Sequence, residues 1–174
     1  MKRFIACIFG LVVVVGARPV GRILFPFPYR ALIEQVARDE QVDSRLVVAV
    51  MRIESGFDPE ARSRVGARGL MQIMPPTGLW IARRMGWRRF RLDRLTEPEV
   101  NIRLGAWYLS HLEERFEGHL PLVLAAYNAG HAKVAAWRRS STPLAEMYPE
   151  TRFYVVRGMW AYGWYRVLYP AGER

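Results

Sequence analysis

Apolar side chains in this chain of 174 residues recur three or four positions apart, the spacing that gathers them on one face of an α-helix. The two-residue alternation typical of half-buried strands is hardly visible. Glycine, proline and short polar stretches separate the periodic segments. We therefore predict a single all-α globular domain with a small turn or hairpin at 66–69. The predicted helices begin near residue 31 and continue at 45–55, 76–85, 96–116, 120–127, 132–139 and 150–168.

Two of the predicted helices begin with capping signals. Asp43 or Ser44 can cap the helix over 45–55, and Gly56 ends it. The sequence Thr-Glu-Pro-Glu at 96–99 has the spacing of a capping box at the start of the longer helix that runs to about Phe116.

The first 17 residues have the composition of an export signal. Lys2 and Arg3 precede an apolar run at 4–15, and Gly16 and Ala17 supply the small side chains of a cleavage site. The run is shorter than the roughly 20 apolar residues of a usual membrane-spanning helix. We interpret this segment as a cleaved signal peptide, with an uncleaved signal anchor as the alternative. Either interpretation places the rest of the chain outside the cytoplasm, in the cell envelope.

The remaining chain is the length of one domain. We expect a short extended linker at 18–30 and a domain at 31–170. Cys7 is the one cysteine, and the three histidines are scattered, so intramolecular disulfides and structural zinc sites are excluded.

The charge balance predicts anionic partners. Lys and Arg number 26 against 16 Asp and Glu, a formal net charge of +10. An arginine-rich stretch at 83–94, with Trp87 and Phe90 interleaved, could in isolation bind nucleic acid. An exported chain rarely meets nucleic acid, however, whereas anionic envelope polymers and lipid head groups surround it. We therefore expect no nucleic acid, and envelope polymers or a membrane surface as partners.

One carboxylate shares an apolar helix face. At about 100° per residue, Glu54 lies within an arc of about 100° that also holds Val47, Val50 and Met51. Such a carboxyl either pairs with a buried partner or has its pKa raised by desolvation, and it can then deliver a proton near neutral pH. The alternative is a glutamate that reaches solvent at the helix end, and periodicity does not decide between the two.

A second carboxylate is not well placed. Asp58 and Glu60 follow closely, but Gly56 and Pro59 break the helix, so Asp58 is expected to cap the next turn. The chain thus provides one buried acid rather than the pair of a two-carboxylate glycosidase. A lone acid needs its nucleophile from elsewhere, and a 2-acetamido group of the substrate can supply it.

Five short blocks in register carry a resemblance to a known family. Their order and spacing resemble the lytic transglycosylases with the soluble-lytic-transglycosylase (SLT) catalytic domain, over about 31–165. This resemblance implies a helical domain with a substrate cleft, within the α+β lysozyme-like superfamily. The blocks are Glu-Ser-Gly-Phe at 54–57, Gly-Ala-Arg-Gly-Leu-Met-Gln-Ile-Met-Pro at 66–75, Asn-Ile at 101–102, Ala-Ala-Tyr-Asn-Ala-Gly at 125–130 and Glu-Thr-Arg-Phe-Tyr-Val at 150–155.

The resemblance implies a role for each motif residue near the acid. Glu54 matches the single catalytic acid/base, and Tyr127 matches the tyrosine that orients its carboxyl by hydrogen bonding. Ser55 matches a cleft-facing serine, or it finishes the helix by bonding a nearby carbonyl. Asn128 is expected either to touch sugar or to satisfy backbone groups. Tyr154 matches a position that borders the cleft.

The glycine-rich block matches the loop that lines the sugar cleft. Gly69 permits close backbone approach to a ligand, and Leu70 follows it in the same loop. Met71 offers an adaptable apolar wall, with core filling as the alternative. Gln72 carries a donor and an acceptor for an acetamido or hydroxyl group.

Four further motif residues are expected to be architectural. Asn101 and Tyr108 lie on the long helix, where Tyr108 shares an apolar face. Glu150 and Arg152 are expected to stabilise packing through a charge pair.

The function that the resemblance implies is that of an enzyme, a peptidoglycan lytic transglycosylase. Such an enzyme cleaves the β-1,4 bond between N-acetylmuramic acid and N-acetylglucosamine and leaves a 1,6-anhydromuramoyl end. Neither metal nor organic cofactor is expected, the partner is the peptidoglycan glycan strand, and we expect a monomer. Two alternatives stay open: a hydrolytic, lysozyme-like muramidase and a non-catalytic cell-wall-binding protein.

Overall fold

The computed structural model describes residues 18–139 and 147–172, and this part of the chain is helical. Its only strand-like pairings are isolated bridges of Arg68 with Arg62 and with Ile73, which form the small turn expected at 66–69. The all-α prediction is confirmed. A 3₁₀ helix lies at Leu92–Thr96, and the α-helices are α1 (Arg30–Asp39), α2 (Ser44–Ser55), α3 (Pro75–Arg84), α4 (Pro98–Arg115), α5 (Leu120–Ala129), α6 (His131–Arg139) and α7 (Pro149–Leu168).

Helix α2 lies at the centre of the domain. Its residues from Leu46 to Met51 are all buried, and it packs against α1, α4 and α7. Helix α7 also packs against α5. This arrangement brings the C-terminal end of α2 next to the first turns of α7, where the site described below lies.

The capping prediction is confirmed for α2 and wrong for α4. Oδ1 of Asp43 accepts from the backbone N–H of Arg45 at 2.8 Å, and Gly56 ends α2 with a left-handed φ of 61°. Helix α4 begins at Pro98, after Glu97, whose side chain makes no cap bond. The carboxylate of Glu97 instead pairs with Arg94 at 2.8 Å, so the expected capping box does not form.

The extended linker expected at 18–30 is not found. Residues 18–24 are helical, and the guanidinium of Arg22 donates to the carbonyl of Leu168 at 2.9 Å. Phe25 is buried against α7, because its ring fits between aromatic side chains of that helix. The segment is thus packed against the domain.

The part of the chain that the structure describes contains no helix with both the length and the apolarity needed to cross a bilayer. The signal predicted at 1–17, with Cys7, and the stretch at 140–146 lie outside the described residues.

Candidate active site

Glu54 lies in the last turn of α2 with its carboxyl half-buried. Burial raises the pKa of Glu54 to about 7. The hydrogen bond from Tyr154 and the positive charge of Arg157 lower this pKa, but burial outweighs both. The raised pKa expected of this carboxyl is therefore found. A carboxyl with this pKa can both give and take a proton near neutral pH.

The hydrogen-bond partner of the carboxyl is Tyr154 on α7. Its hydroxyl donates to Oε1 of Glu54 at 2.6 Å. Burial and the nearby negative charge raise the pKa of Tyr154 well above its ordinary value, so the phenol stays protonated and remains a donor. The sequence predicted only that Tyr154 borders the cleft, and the structure makes it the residue that orients the acid.

Tyr127 does not make the bond that we expected of it. Its hydroxyl donates to the carbonyl of Met71 at 2.9 Å. Burial, and next the charge of Glu54, raise the pKa of Tyr127 well above its ordinary value, so the phenol stays protonated beside the acid. Tyr127 thus joins α5 to the loop next to Glu54, while Tyr154 holds the carboxyl.

Replacing Tyr154 with phenylalanine is expected to slow about tenfold any reaction in which Glu54 transfers a proton, because the carboxyl loses the group that orients it. In the native chain this hydrogen bond lowers the pKa of Glu54. Its loss should therefore raise that pKa and move the basic limb of the pH–rate profile to higher pH. Steady-state rates measured from pH 5 to 9 test both effects. Tyr148→Phe, at an exposed tyrosine, is the matched control, and an unmoved basic limb would contradict the orienting role.

The loop that follows α2 is held by side chains from two helices. The hydroxyl of Ser55 donates to the carbonyl of Leu70 at 2.7 Å and accepts from the N–H of Phe57 at 3.1 Å. Oδ1 of the buried Asn101 accepts from the N–H of Met71 at 2.7 Å. The architectural role of Asn101 is confirmed, and Ser55 closes the end of α2 onto the loop, the second of the two roles expected for it.

The loop side chains predicted to line a sugar cleft are largely committed to the fold. Leu70 and Met71 are fully buried, so the core-filling alternative for Met71 is what the structure shows. At Gly69, with a φ of 77°, a Cβ would overlap the amide of Asn101 and the carbonyl of Leu95, so the close approach there is to protein. The amide nitrogen of Gln72 donates to two backbone carbonyls, at 2.9 and 3.1 Å.

The helix junction after α5 is joined to α7 by side chains. Oδ1 of the exposed Asn128 accepts from the hydroxyl of Thr151 at 2.9 Å. Glu150 and Arg152 are both exposed and form no ion pair with each other, so the charge pair expected of them is not found. Residues two positions apart on a helix point in different directions, which explains why they do not meet.

Among the described residues, no second carboxylate contributes to the shift in the pKa of Glu54. Asp58 and Glu60 are exposed, and Oδ1 of Asp58 accepts from the N–H of Glu60 at 2.9 Å, the turn expected for this step. The described residues also contain no group of three His, Cys, Asp or Glu side chains that could hold a metal ion.

An aromatic pocket of about 430 Å³ opens beside the site. Trp80, Tyr108, Gly130 and His131 are among the residues that line it, and the ring of Tyr108 is 5.4 Å from that of Tyr127. Burial lowers the pKa of His131, so its imidazole is neutral at pH 7. Sequence reasoning missed this pocket, because its walls come from four helices and no local pattern brings them together.

A comparison with protein-family profiles shows which family the chain belongs to. The profile of the Transglycosylase SLT domain matches residues 31–147. The chain belongs to the transglycosylase SLT domain family. The resemblance drawn from the five sequence blocks is thereby confirmed.

Similar proteins and solved structures are also lytic transglycosylases. The soluble lytic murein transglycosylase of Salmonella typhimurium is 35% identical over 140 residues, which are 75% of this chain and 22% of the relative. An inactive glutamate-to-glutamine mutant of the lytic transglycosylase Slt from Pseudomonas aeruginosa superposes with a TM-score of 0.75 at 36% identity, over 84% of this chain and 25% of that one. The 70 kDa soluble lytic transglycosylase of Escherichia coli superposes with a TM-score of 0.75 at 30% identity, over 88% of this chain and 28% of that one. The chain thus spans about a quarter of the length of these relatives.

Proposed function

We propose that this SLT domain is a lytic transglycosylase that cleaves the β-1,4 bond between N-acetylmuramic acid and N-acetylglucosamine in peptidoglycan. The observation that carries the proposal is Glu54, a single half-buried carboxyl whose pKa is raised to about 7 and which Tyr154 orients. Relatives named lytic murein transglycosylases support the choice of polymer.

In the first step, protonated Glu54 gives its proton to the glycosidic oxygen while the bond from that oxygen to the anomeric carbon breaks. The carbonyl oxygen of the muramoyl acetamido group bonds to the anomeric carbon at the same time. This substrate group takes the place of the second carboxylate that the described residues do not offer to Glu54. The hydrogen bond from Tyr154 keeps the acid in position and stabilises the carboxylate that the transfer leaves behind.

In the second step, the Glu54 carboxylate takes the proton of the muramoyl C6 hydroxyl. The C6 oxygen attacks the anomeric carbon and displaces the acetamido oxygen, which closes the 1,6-anhydro ring without consuming water. Glu54 ends the cycle protonated, as it began. A carboxyl with a pKa near 7 suits both steps, because it is neither too weak an acid for the first nor too weak a base for the second.

The aromatic pocket is the place we propose for a sugar next to the scissile bond. Trp80 and Tyr108 offer flat apolar faces for the C–H side of a pyranose ring, and neutral His131 offers a hydrogen-bonding edge. The pocket residue Tyr108 contacts the ring of Tyr127, and the charge of Glu54 acts on the pKa of Tyr127, so these two tyrosines connect the pocket to the acid. A 70 kDa soluble lytic transglycosylase that superposes with a TM-score of 0.77 at 30% identity, over 88% of this chain and 26% of that one, was solved in complex with bulgecin A.

The activity is expected to fall as pH rises through 7, because the first step needs Glu54 in its protonated form. With a pKa of about 7, the protonated fraction at pH 8 is about a tenth of that at pH 6. Measured kcat/KM should fall accordingly, by about tenfold between these two pH values. A basic limb centred near the ordinary carboxyl pKa, well below 6, would contradict the proposal.

Mass spectrometry of the products tests the proposed reaction. Muropeptides released from purified peptidoglycan by this chain are treated with borohydride, which reduces free sugar ends and leaves anhydromuramoyl ends unchanged. Non-reducible anhydro products that disappear with Glu54→Gln support the proposal. Reducible products would assign a hydrolytic muramidase instead, and no release by a folded chain would leave a wall-binding protein.

We further propose that the protein works outside the cytoplasm, in the cell envelope. The apolar run at 4–15 behind two basic residues supports this location. A relative named endo-type membrane-bound lytic murein transglycosylase A, from Klebsiella pneumoniae, is 50% identical over 74 residues, which are 41% of this chain and 36% of that protein. Detection of the chain in envelope fractions rather than in the cytoplasm tests this.

A further inference from the structure

Helix α7 has two apolar faces. One faces the core with the buried residues Thr151, Tyr154, Gly158, Ala161, Tyr165 and Leu168. A second set is exposed and falls within an arc of about 80°, whose centre is about 130° from the centre of the buried set. We call this second set the outer stripe; it consists of Phe153, Val156, Trp160, Trp164 and Val167. A surface helix needs one apolar face to pack on its core, so the outer stripe exposes more apolar surface than that packing requires.

The outer stripe is joined to the helical residues at 18–24. The ring centroid of Phe25 is 5.2 Å from that of Trp160 and 5.6 Å from that of Trp164. Just before Phe25, the side chain of Ile23 is 77% exposed. We call the outer stripe together with the exposed Val20, Ile23 and Leu24 the outer face.

The outer face lies where the apolar N-terminal sequence enters the domain. Residues 4–15 form an apolar run, and residue 18 follows it after two small residues. Eight exposed apolar residues on two neighbouring segments are a cluster, which marks an interaction site rather than the scattered apolar residues of an ordinary surface. The apolar run and the outer face are therefore neighbours along the chain.

Cations border the outer face with little acid between them. Residues 18–30 contain three arginines and no acid, and α7 contains three arginines and one glutamate. The guanidinium of Arg52 lies 4.5 Å from the ring centre of Phe25, and that of Arg157 lies 5.8 Å from the ring of Phe153. Both guanidinium groups thus lie over aromatic rings at the border of the outer face, where a cation is attracted to the face of the ring.

A groove of about 570 Å³ runs through the outer face. Its walls include Ile23, Leu24 and Trp160, together with Arg52 and Arg157. Two guanidinium groups beside an apolar groove can bind a lipid phosphate. The guanidinium N–H groups donate to the phosphate oxygens, and the acyl chain contacts the apolar wall. Tryptophans on such a surface match the depth of lipid head groups.

We propose that the outer face docks on the anionic surface of a lipid bilayer, with Trp160 and Trp164 at the level of the head groups and with Arg52 and Arg157 bound to lipid phosphates. The docked surface borders the candidate site: Arg157 also lowers the pKa of Glu54, while Arg52 lies about 160° around α2 from that carboxyl.

Spin labels on the full chain test the docking without any need for turnover. In a Cys7→Ser background, Val156→Cys and Val167→Cys place a label on the outer stripe, and Arg83→Cys places a control label on an exposed position of α3. Each chain is mixed with vesicles of phosphatidylcholine alone or with 30% phosphatidylglycerol. Accessibility to oxygen, which enters the bilayer, is compared with accessibility to a water-soluble nickel chelate.

The expected result is that both stripe labels lose access to the nickel chelate and gain access to oxygen with anionic vesicles, whereas the Arg83 label stays aqueous. Replacing Arg52 and Arg157 by glutamine is expected to lower the bound fraction about tenfold at low salt. Stripe labels that stay aqueous would overturn the proposal. So would labels that are shielded without vesicles and increasingly so at higher protein concentration, because a second copy of the chain would then cover the face.

Discussion

Glu54→Gln is expected to lower the rate of peptidoglycan cleavage by about a thousandfold, because glutamine keeps the shape of the side chain but neither gives nor takes a proton. The amide can still accept from Tyr154, so the local geometry is retained. Released anhydromuropeptides, quantified over time by mass spectrometry, give the rate. The change is expected in kcat, since the contacts that hold the glycan stay in place.

Glu60→Gln is the matched control, because Glu60 is an exposed glutamate of the same loop region and its loss should leave the rate within a factor of two. A Glu54 variant that kept a tenth or more of the native rate would remove this carboxyl from the mechanism. Another acid of the chain would then have to supply the proton.

The same substitution is expected to stabilise the fold at alkaline pH. The pKa of Glu54 is about 7 in the folded chain and about 4.5 when unfolded, so folding opposes its ionisation. Below pH 4.5 the group is protonated in both states and contributes nothing; above pH 7 the native chain bears the full cost, about 3 kcal/mol. Glu54→Gln should therefore raise the free energy of unfolding by up to this amount at pH 8 and leave it unchanged at pH 4. Urea unfolding at the two pH values measures the difference.

Asn101→Ala is expected to destabilise the fold by about 3 to 5 kcal/mol. The side chain of Asn101 is fully buried, accepts from the N–H of Met71 at 2.7 Å and donates to the carbonyls of Arg68 at 2.9 Å and Leu95 at 2.6 Å. Alanine leaves these backbone groups without their partner and leaves a cavity in their place. Urea unfolding followed by circular dichroism gives the free-energy change. Activity is expected to fall as well, because the loop that closes on Ser55 loses its anchor.

The control for this loss is Ser110→Ala, a half-buried polar residue of the same helix, for which we expect a change within about 0.5 kcal/mol. A cost below 1 kcal/mol for Asn101→Ala would show that water or a relaxed backbone replaces the amide. The loop would then be held by Ser55 and Tyr127 alone.

The helices and the acid were predictable from the sequence, because both depend on short-range patterns. Apolar spacing placed α2 within one residue of its observed bounds, and the same periodicity placed Glu54 on the buried arc. The prediction of an extended linker at 18–30 was wrong because it was based on the prolines of this segment. The packing of Phe25 on α7 is a long-range contact, which a local pattern does not reveal.

The partners of the acid were harder to predict. Tyr127 and Tyr154 both approach Glu54, and which hydroxyl bonds the carboxyl depends on how α5 and α7 pack, which no local pattern records. Leu70 and Met71 have the composition of a ligand wall, yet the fold buries them. A motif therefore located the site, and packing decided which side chains of the motif face it.

Glu54 and the tyrosine that orients it are 100 residues apart in the chain. During synthesis the acid is made early, at the end of α2, while its partner lies on α7. A growing or partly translocated polypeptide thus contains the carboxyl without its hydrogen-bond donor and without the helix that buries it. Such a carboxyl has the pKa of an ordinary glutamate and is ionised at neutral pH. Glu54 therefore gains its raised pKa only after α7 has been made and has docked on α2.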